Sequence, residues 1–222
     1  MKRTFFITGT DTGVGKTVLT VLLLQCLRKR GVNAAALKPV CSGNRDDARA
    51  LRAALNGALS LDEINPWHFR APVAPVLAAR REGKRVRFAE LLAHVCAMQK
   101  RFDVVLVEGA GGLLSPLGEN FNSRDLLAAL RATPLIVCPN RLGAVNQALL
   151  ALEALPKNFR DRARVVLTSP PKSDVAASNP TLLAEFFDAK RIVRLPWLGE
   201  PFEAGKAWGD SRTQRTLRNL VN

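Results

Sequence analysis

The chain has 222 residues, 47% hydrophobic and 23% charged, enough to bury one sizeable core and ordinary for a globular protein in water. Its formal charge of +14 comes from lysines and arginines that are scattered and never form a block of five, a pattern more common in diffusely basic proteins than in DNA binders and not decisive alone. No uninterrupted apolar run approaches the ~20 residues of a membrane span, and Phe5-Phe6-Ile7 is too short for a secretory leader, so a cytoplasmic location is expected.

The first apolar run suited to a buried strand is RTFFIT (3–8), followed by GTDTGVGKT and a leucine-rich helix over 16–30. Gly13 and Gly15 allow backbone N–H groups to turn inward, Lys16 can reach the β- and γ-phosphates, and the Thr17 hydroxyl can ligate Mg²⁺. A strict G-x-x-x-x-G-K-[ST] template wants glycine at position 10, where this chain has Thr10, and Gly9 sits one residue early.

The second run, NAAALK (33–38), ends in Lys38 and leads through Pro39-Val40 to Cys41-Ser42-Gly43. A lysine there reaches solvent or, beside a phosphate loop, adds positive charge to a transferring phosphoryl group. Asp46-Asp47 opens a helix over 46–57, either as routine N-terminal acids or with one of them on Mg²⁺. The stretch NPWHFRAPVAP (65–75), with Trp67 and Phe69, is expected to pack over a neighbour, and a helix follows over 88–101.

The third run, DVVLVE (103–108), places Glu108 at a strand tip before Gly109-Ala110-Gly111-Gly112, where a metal-binding acid belongs in ATP-binding folds. The fourth, PLIVCP (134–139), leads to NRLGAVN and a helix over 143–155 whose first N–H groups suit an anion. Leu149, Leu150, Leu152 and Leu155 form an apolar stripe on it, for core or subunit interface. RVVLT (164–168) and RIVRL (191–195) complete the runs, with a helix over 180–188 between them, capped by Asn179 with Pro180 at its first position. Cys26, Cys41, Cys96 and Cys138 show no C-x-x-C pair or metal spacing and read as reduced thiols. Alternation of strand and helix predicts a single α/β domain over 1–222, a doubly wound, mostly parallel sheet with helices on both faces, like P-loop NTPases. Ligands collect at the carboxyl ends of such strands, and the four junctions there are all rich in small or polar residues.

GTDTGVGKT, KPVCSG, NPWHFRAPVAP, VEGAGG with Pro116-Leu117, LGAVN and LPWLGE occur in that order, and together they resemble dethiobiotin synthetase over residues 3–201. In that family the loop begins Gly-Thr-x-Thr, so Thr10 fits its pattern. The resemblance implies an ATP- and Mg²⁺-dependent ligase that forms dethiobiotin from 7,8-diaminononanoate and CO₂. It implies Lys16 and Lys38 as catalytic lysines, and Thr17, Asp47 and Glu108 as magnesium ligands. Nucleotide contacts would come from Gly13, Val14, Gly15, Lys16, Thr17, Val18, Asp47, Glu108, Gly109, Ala110 and Gly111, with Thr168, Ser169, Pro196, Trp197 and Leu198 on the base side. Thr12 and Ser42 would touch the diamine, and Leu142, Gly143 and Asn146 would reach its carboxylate end from the partner of a homodimer.

Three features depart from the family. The segment from Lys38 to Asp47 is short, so choosing Asp47 over Asp46 rests on the helix that follows. Thr168-Ser169-Pro170-Pro171 stand where an asparagine usually reads the base, which leaves other nucleoside triphosphates open beside ATP. Gln147 replaces a common histidine. A partitioning-type ATPase shares the expected fold and binds DNA, but its signature lysine early in the loop is missing from Asp11–Thr17, so no nucleic-acid partner and no membrane partner is expected. Cobyrinate-type synthetases need a glutaminase domain for which 222 residues leave no room.

Overall fold

The computed structural model describes residues 2–169, 174–196, 198 and 204–221. In chain order, β1 (Arg3–Gly9), α1 (Lys16–Lys29), β2 (Ala34–Leu37), β3 (Val40–Ser42), α2 (Asp46–Ala54) and α3 (Leu61–Ile64) form the first part. Next come β4 (Trp67–Phe69), α4 (Pro75–Arg81), α5 (Phe88–Arg101) and β5 (Val104–Gly112). A small hairpin of β6 (Pro116–Gly118) and β7 (Phe121–Asn122) precedes α6 (Ser123–Ala129), β8 (Thr133–Pro139), α7 (Ala144–Glu153) and α8 (Lys157–Arg160). The last elements are β9 (Arg164–Thr168), α9 (Asp174–Ala184), a 3₁₀ turn (Ala189–Arg191), β10 (Ile192–Leu195), α10 (Ala204–Gly209) and α11 (Ser211–Val221).

The six apolar runs of the sequence are the six strands of one sheet, ordered β10-β9-β8-β1-β5-β2 and parallel throughout. Helices cover both faces, so the strands have no solvent side: Phe6, Ile7, Leu106, Val107, Ile136 and Val137 are all fully buried. From β1 the chain passes to the edge strand β2, returns to place β5 between β2 and β1, and then builds outward on the other side through β8, β9 and β10. The switch point is therefore the carboxyl end of β1, where the phosphate-loop sequence begins.

The proline-rich stretch does pack. Its β4 pairs in parallel with β3, Phe69 is buried, and Trp67 meets His94 edge-on at 5.9 Å. The leucine stripe of α7 divides, with Leu152 and Leu155 buried and Leu150 facing outward. The helices read as 46–57 and 143–155 are shorter, at 46–54 and 144–153.

One element differs from its sequence reading. Asn179 and Pro180 do not open a helix over 180–188, because α9 begins at Asp174 and holds Pro180 in its interior. Proline has no N–H for the carbonyl four residues back, that of Ala176. Here the Asn140 side chain donates to the Ala176 carbonyl at 2.9 Å and satisfies it from outside the helix. Asn179, instead of capping, donates through Nδ2 to Asn140 Oδ1 (2.9 Å) and to the Arg141 carbonyl (3.0 Å). Two asparagines thus tie the β8–α7 loop to α9.

Candidate functional site

The phosphate loop spans the end of β1 and the start of α1. The missing glycine at position 10 has a geometric explanation. A Cβ on Gly9 would lie 2.6 Å from Val14 Cγ2 and 2.9 Å from the Asp11 carbonyl oxygen, so Gly9 is where the loop folds back on itself. Thr10 still carries a strand contact, its N–H donating to the Val137 carbonyl at 2.9 Å, and position 10 has no need of glycine. Gly13 and Gly15 take left-handed backbone angles, with φ of 72° and 95°, and Gly15 precedes the first turn of α1. Lys16 is buried and folds back onto the Asp11 carbonyl at 2.7 Å.

Beside the loop, four side chains from four elements meet. Lys38 Nζ lies 2.7 Å from Glu108 Oε1 and 3.0 Å from Asp47 Oδ2, and donates to the Gly109 carbonyl at 3.0 Å. Thr17 Oγ1 is 2.8 Å from both Asp47 Oδ1 and Glu108 Oε1. A hydroxyl has one proton and can donate to only one of these carboxylates at a time. Three oxygens therefore crowd together beyond what hydrogen bonding explains, and Glu108 Oε2 is buried with no hydrogen-bond partner among the described residues. Such an oxygen-rich set fits a hard divalent cation, and two carboxylates suffice for Mg²⁺, which completes its shell with phosphate oxygens and water. Asp46 is on the surface instead, paired with Arg49 at 2.9 Å, and Asp47 is the acid turned toward Lys38.

A second layer of contacts, which the sequence reading did not identify, holds this group in place. Asn65 is fully buried, and its Nδ2 donates to the Lys38 carbonyl at 2.7 Å. Its Oδ1 accepts from Arg45 Nε at 3.1 Å and from Cys41 Sγ at 3.2 Å. Arg45 also binds the carbonyls of Asn65 and Leu61 and sits immediately before α2, the helix that carries Asp47. One asparagine therefore positions Lys38 directly and Asp47 through Arg45. Replacing Asn65 with alanine is expected to cost about 1–3 kcal/mol in stability, because buried polar groups lose their partners. It should also lower kcat about tenfold or more with little change in KM for ATP, since the phosphate loop is untouched. Steady-state kinetics beside thermal unfolding separates the two effects; a KM change without a kcat change would contradict the positioning role.

These residues line a cavity of about 730 Å³. Thr12, Gly13, Gly15, Lys16, Thr17 and Val18 border it from the loop side, and Asp47, Glu108, Ala110 and Gly111 from the centre. Lys38 borders it beside Asp47 and Glu108, and Ser42 and the apolar residues Pro72, Val73, Ala74 and Pro75 also line it. Ser42 lines the cavity, but its hydroxyl donates to the Val73 carbonyl at 2.5 Å and offers only lone pairs inward. Cys41 also borders the cavity, and burial pushes its thiol pKa up, which favours the neutral thiol. Val14 is buried beneath the loop, and Gly109 contributes its carbonyl to Lys38.

Other expected residues lie elsewhere. Thr168 and Ser169 stand at the end of β9; a Cβ on Gly15 would be 3.7 Å from Thr168 Cγ2, so the two loops touch. Pro196 and Leu198 follow β10 and are partly buried, while Trp197, Pro170 and Pro171 lie outside the described residues. Leu142 and Gly143 on the β8–α7 turn and Asn146 in the first turn of α7 are exposed and border none of this cavity.

The two lysines have opposite electrostatic surroundings. Burial opposes the Lys38 ammonium, but Glu108 and Asp47 outweigh it and hold its pKa above the ordinary value. For Asp47, burial favours the neutral acid, yet Lys38 and the Thr17 hydroxyl prevail and keep its pKa low. Lys16 is pushed down to about 8 by burial and by the neighbouring Lys38. Below about pH 8 Lys16 is charged in both folded and unfolded chains, and its burial opposes folding in full. As pH rises from there to the ordinary lysine range, the folded chain sheds this proton first. Nucleotide-free stability should therefore rise, by on the order of 3 kcal/mol from this group. Triphosphate binding restores the charge, so ATP binding near pH ~8.5 should take up part of a proton. Titration calorimetry in buffers of different ionisation enthalpy measures this; a buffer-independent enthalpy would contradict it.

A sequence-family model described as an AAA domain matches residues 3–201. The ATP-dependent dethiobiotin synthetase BioD of Akkermansia muciniphila is 40% identical over 200 residues, covering 89% of this chain and 91% of that protein. The protein of the same description from Anaeromyxobacter sp. (strain Fw109-5) is 41% identical over 199 residues, covering 87% and 89%. Among solved structures, a ParA family ATPase from Chlorobium tepidum TLS superposes with a TM-score of 0.62 at 12% identity, over 100% of both chains. The MinC:MinD complex of Aquifex aeolicus gives 0.61 at 14% identity, covering 99% of this chain and 94% of that one. At those identities the structural likeness shows the fold alone.

Proposed function

The chain belongs to the dethiobiotin synthetase family, and on that premise we propose that its site closes the ureido ring of dethiobiotin from 7,8-diaminononanoate, CO₂ and ATP. The supporting observation is the meeting of Lys16, Lys38, Thr17, Asp47 and Glu108 in one cavity that Pro72–Pro75 also line. The polar group suits a triphosphate, and the apolar lining suits a carbon chain.

One amine of the substrate adds to CO₂ and loses a proton, giving a carbamate. A carbamate oxygen attacks the γ-phosphorus, and the bond to the ADP oxygen breaks. The second amine then attacks the carbamate carbon and expels phosphate, which closes the ring. This sequence needs positioning and charge neutralisation, with no nucleophile from the protein. The loop N–H groups and Lys16 hold the phosphates, and Lys38 stands where negative charge gathers on the transferring group. Thr17, Asp47 and Glu108 would hold Mg²⁺, which supplies further charge neutralisation at the phosphate oxygens. Gly9 keeps Lys16 close to the loop backbone; a Cβ there would come within 3.2 Å of Lys16 Nζ.

Leu142, Gly143 and Asn146 serve the carboxylate end of the substrate in a second copy of the chain. Support comes from their place outside this chain's own cavity and from the exposure of the apolar side chains of Leu142 (85%) and, further along α7, Leu150 (62%). Sedimentation that shows only monomer at assay concentration would remove them from the site. Thr168 and Ser169 take the base-side position, and rates with CTP and GTP beside ATP measure what these hydroxyls accept. Among the described residues, no helix is long and apolar enough to cross a membrane.

Phosphate release from Mg-ATP in the presence of bicarbonate and 7,8-diaminononanoate tests the reaction. Release should depend on the diamine. Release that ignores it would leave an ATPase and sink the synthetase reading.

A further inference from the structure

The tip of the β8–α7 turn has little packing to hold it. Leu142 is largely exposed, and a Cβ added to Gly143, whose φ is 88°, would meet nothing within 4 Å. Arg141 N donates to the Pro139 carbonyl (2.9 Å) and Ala144 N to the Arg141 carbonyl (3.0 Å), but both bonds are internal to the turn. Asn140, which is buried, ties it to its surroundings. Its N–H donates to the Thr168 carbonyl at 3.0 Å, and its side chain meets Ala176 and Asn179 of α9.

The proline inside α9 accounts for only part of this arrangement. Asn140 Nδ2 serves the Ala176 carbonyl, and the break at Pro180 requires nothing more. The second asparagine does something else. Asn179 Nδ2 reaches both Asn140 Oδ1 and the Arg141 carbonyl, which already accepts from Ala144 N. This extra donor, on a side chain only 7% exposed, fastens α9 to the turn without rescuing a lost bond.

Both structures that Asn140 touches belong to the base side. Thr168 and Ser169 end β9, Ser169 N donates to the Leu195 carbonyl at 3.0 Å, and α9 begins at Asp174. A base held at this tip therefore bears on Asn140 by two routes, the Thr168 carbonyl and α9.

Resting on the base-side and carboxylate roles given above, we propose that Asn140 and Asn179 are positioning residues that couple the two. A bound base then tightens the hold of Leu142 and Gly143 on the substrate of a second copy. A ligand that restrains the tip restrains the turn beforehand, and the second ligand loses less freedom on binding. The coupling is reciprocal, since each ligand must change the affinity of the other by the same factor.

The experiment compares two occupants of the phosphate loop, tripolyphosphate and a non-hydrolysable ATP analogue, both with Mg²⁺. Only the second carries a base. Titration calorimetry of 7,8-diaminononanoate into the full chain should show binding about fivefold tighter or more with the analogue. The triple variant Asn140→Leu, Asn179→Leu and Pro180→Ala removes both amides at similar shape and leaves the charge unchanged. Its third change restores a helical N–H for the Ala176 carbonyl, so it should fold. Its two affinities should agree within about twofold, the coupling being lost. Asn179→Ala, which keeps the bond from Asn140 to Ala176, should lose most of the ratio as well. A merely structural role would weaken both arms alike and leave the ratio intact, which would overturn the proposal. Equal binding in both arms by the parent, with phosphate release still dependent on the diamine, would overturn the coupling alone. Diamine bound in neither arm would overturn the synthetase reading with it.

Discussion

Changing Lys38 to alanine is expected to slow diamine-dependent phosphate release by about three orders of magnitude or more, with ATP affinity within about tenfold of the parent. The asymmetry comes from geometry. Lys38 Nζ sits among Glu108, Asp47 and the Gly109 carbonyl, beyond the loop that grips the triphosphate, so its charge acts on the transferring group more than on binding. Removing it leaves the buried Glu108 and its neighbour Asp47 without their cation, so the variant should also lose on the order of 3 kcal/mol of stability. Added Mg²⁺ should recover part of that stability, because the same oxygens then face a cation. It should not recover turnover. A Lys38→Ala enzyme that is fully folded in Mg²⁺ and still active would show that another group neutralises the developing charge.

How far the sequence could be read depended on the range of the interaction involved. The six sheet strands were legible because strands buried on both faces appear as uninterrupted apolar runs, and their tips then marked Lys38 and Glu108. Asp46 and Asp47 could not be separated, since neighbours on a helix differ only in the direction they face; Arg49 draws one outward and Lys38 the other inward. Asn65 and Arg45 were missed although Asn65 opens the NPWHFRAPVAP stretch, because nothing in that stretch ties its side chain to Lys38, and Arg45 lies in no recognisable motif. Their roles follow from a loop crossing that brings residues 20 positions apart within hydrogen-bond distance. The three-residue strands β3 and β4 are too short to show a period of two. The interior proline of α9 read as a helix start because its compensation is remote: the donor to Ala176 is Asn140, 36 positions earlier. Thr10 looked like a defect because the generic template counts residues and not contacts, and the contact that demands glycine belongs to Gly9.

The largest stability effects should come from breaking the Lys38–Glu108 pair one residue at a time. Both partners are almost fully buried, at 3% and 1% exposure, and 2.7 Å apart. Lys38→Met leaves a carboxylate without its nearest cation, and Glu108→Gln leaves an ammonium that keeps only Asp47 and a carbonyl. Each single variant should lose about 3–5 kcal/mol, chiefly the penalty of an uncompensated buried charge. The double variant carries neither charge. Its stability should return to within about 1–2 kcal/mol of the parent, a coupling of several kcal/mol for side chains in direct contact. Activity should follow the opposite course. On the proposed mechanism each single variant lacks one group used in phosphoryl transfer, and the double variant lacks both, so turnover should stay low although the fold recovers. Denaturant unfolding of the four proteins in one buffer, beside phosphate release, measures both halves. Additive stability losses would mean that Asp47, Thr17 and solvent already compensate each charge. In that case the pair would not be what holds this end of the cavity together.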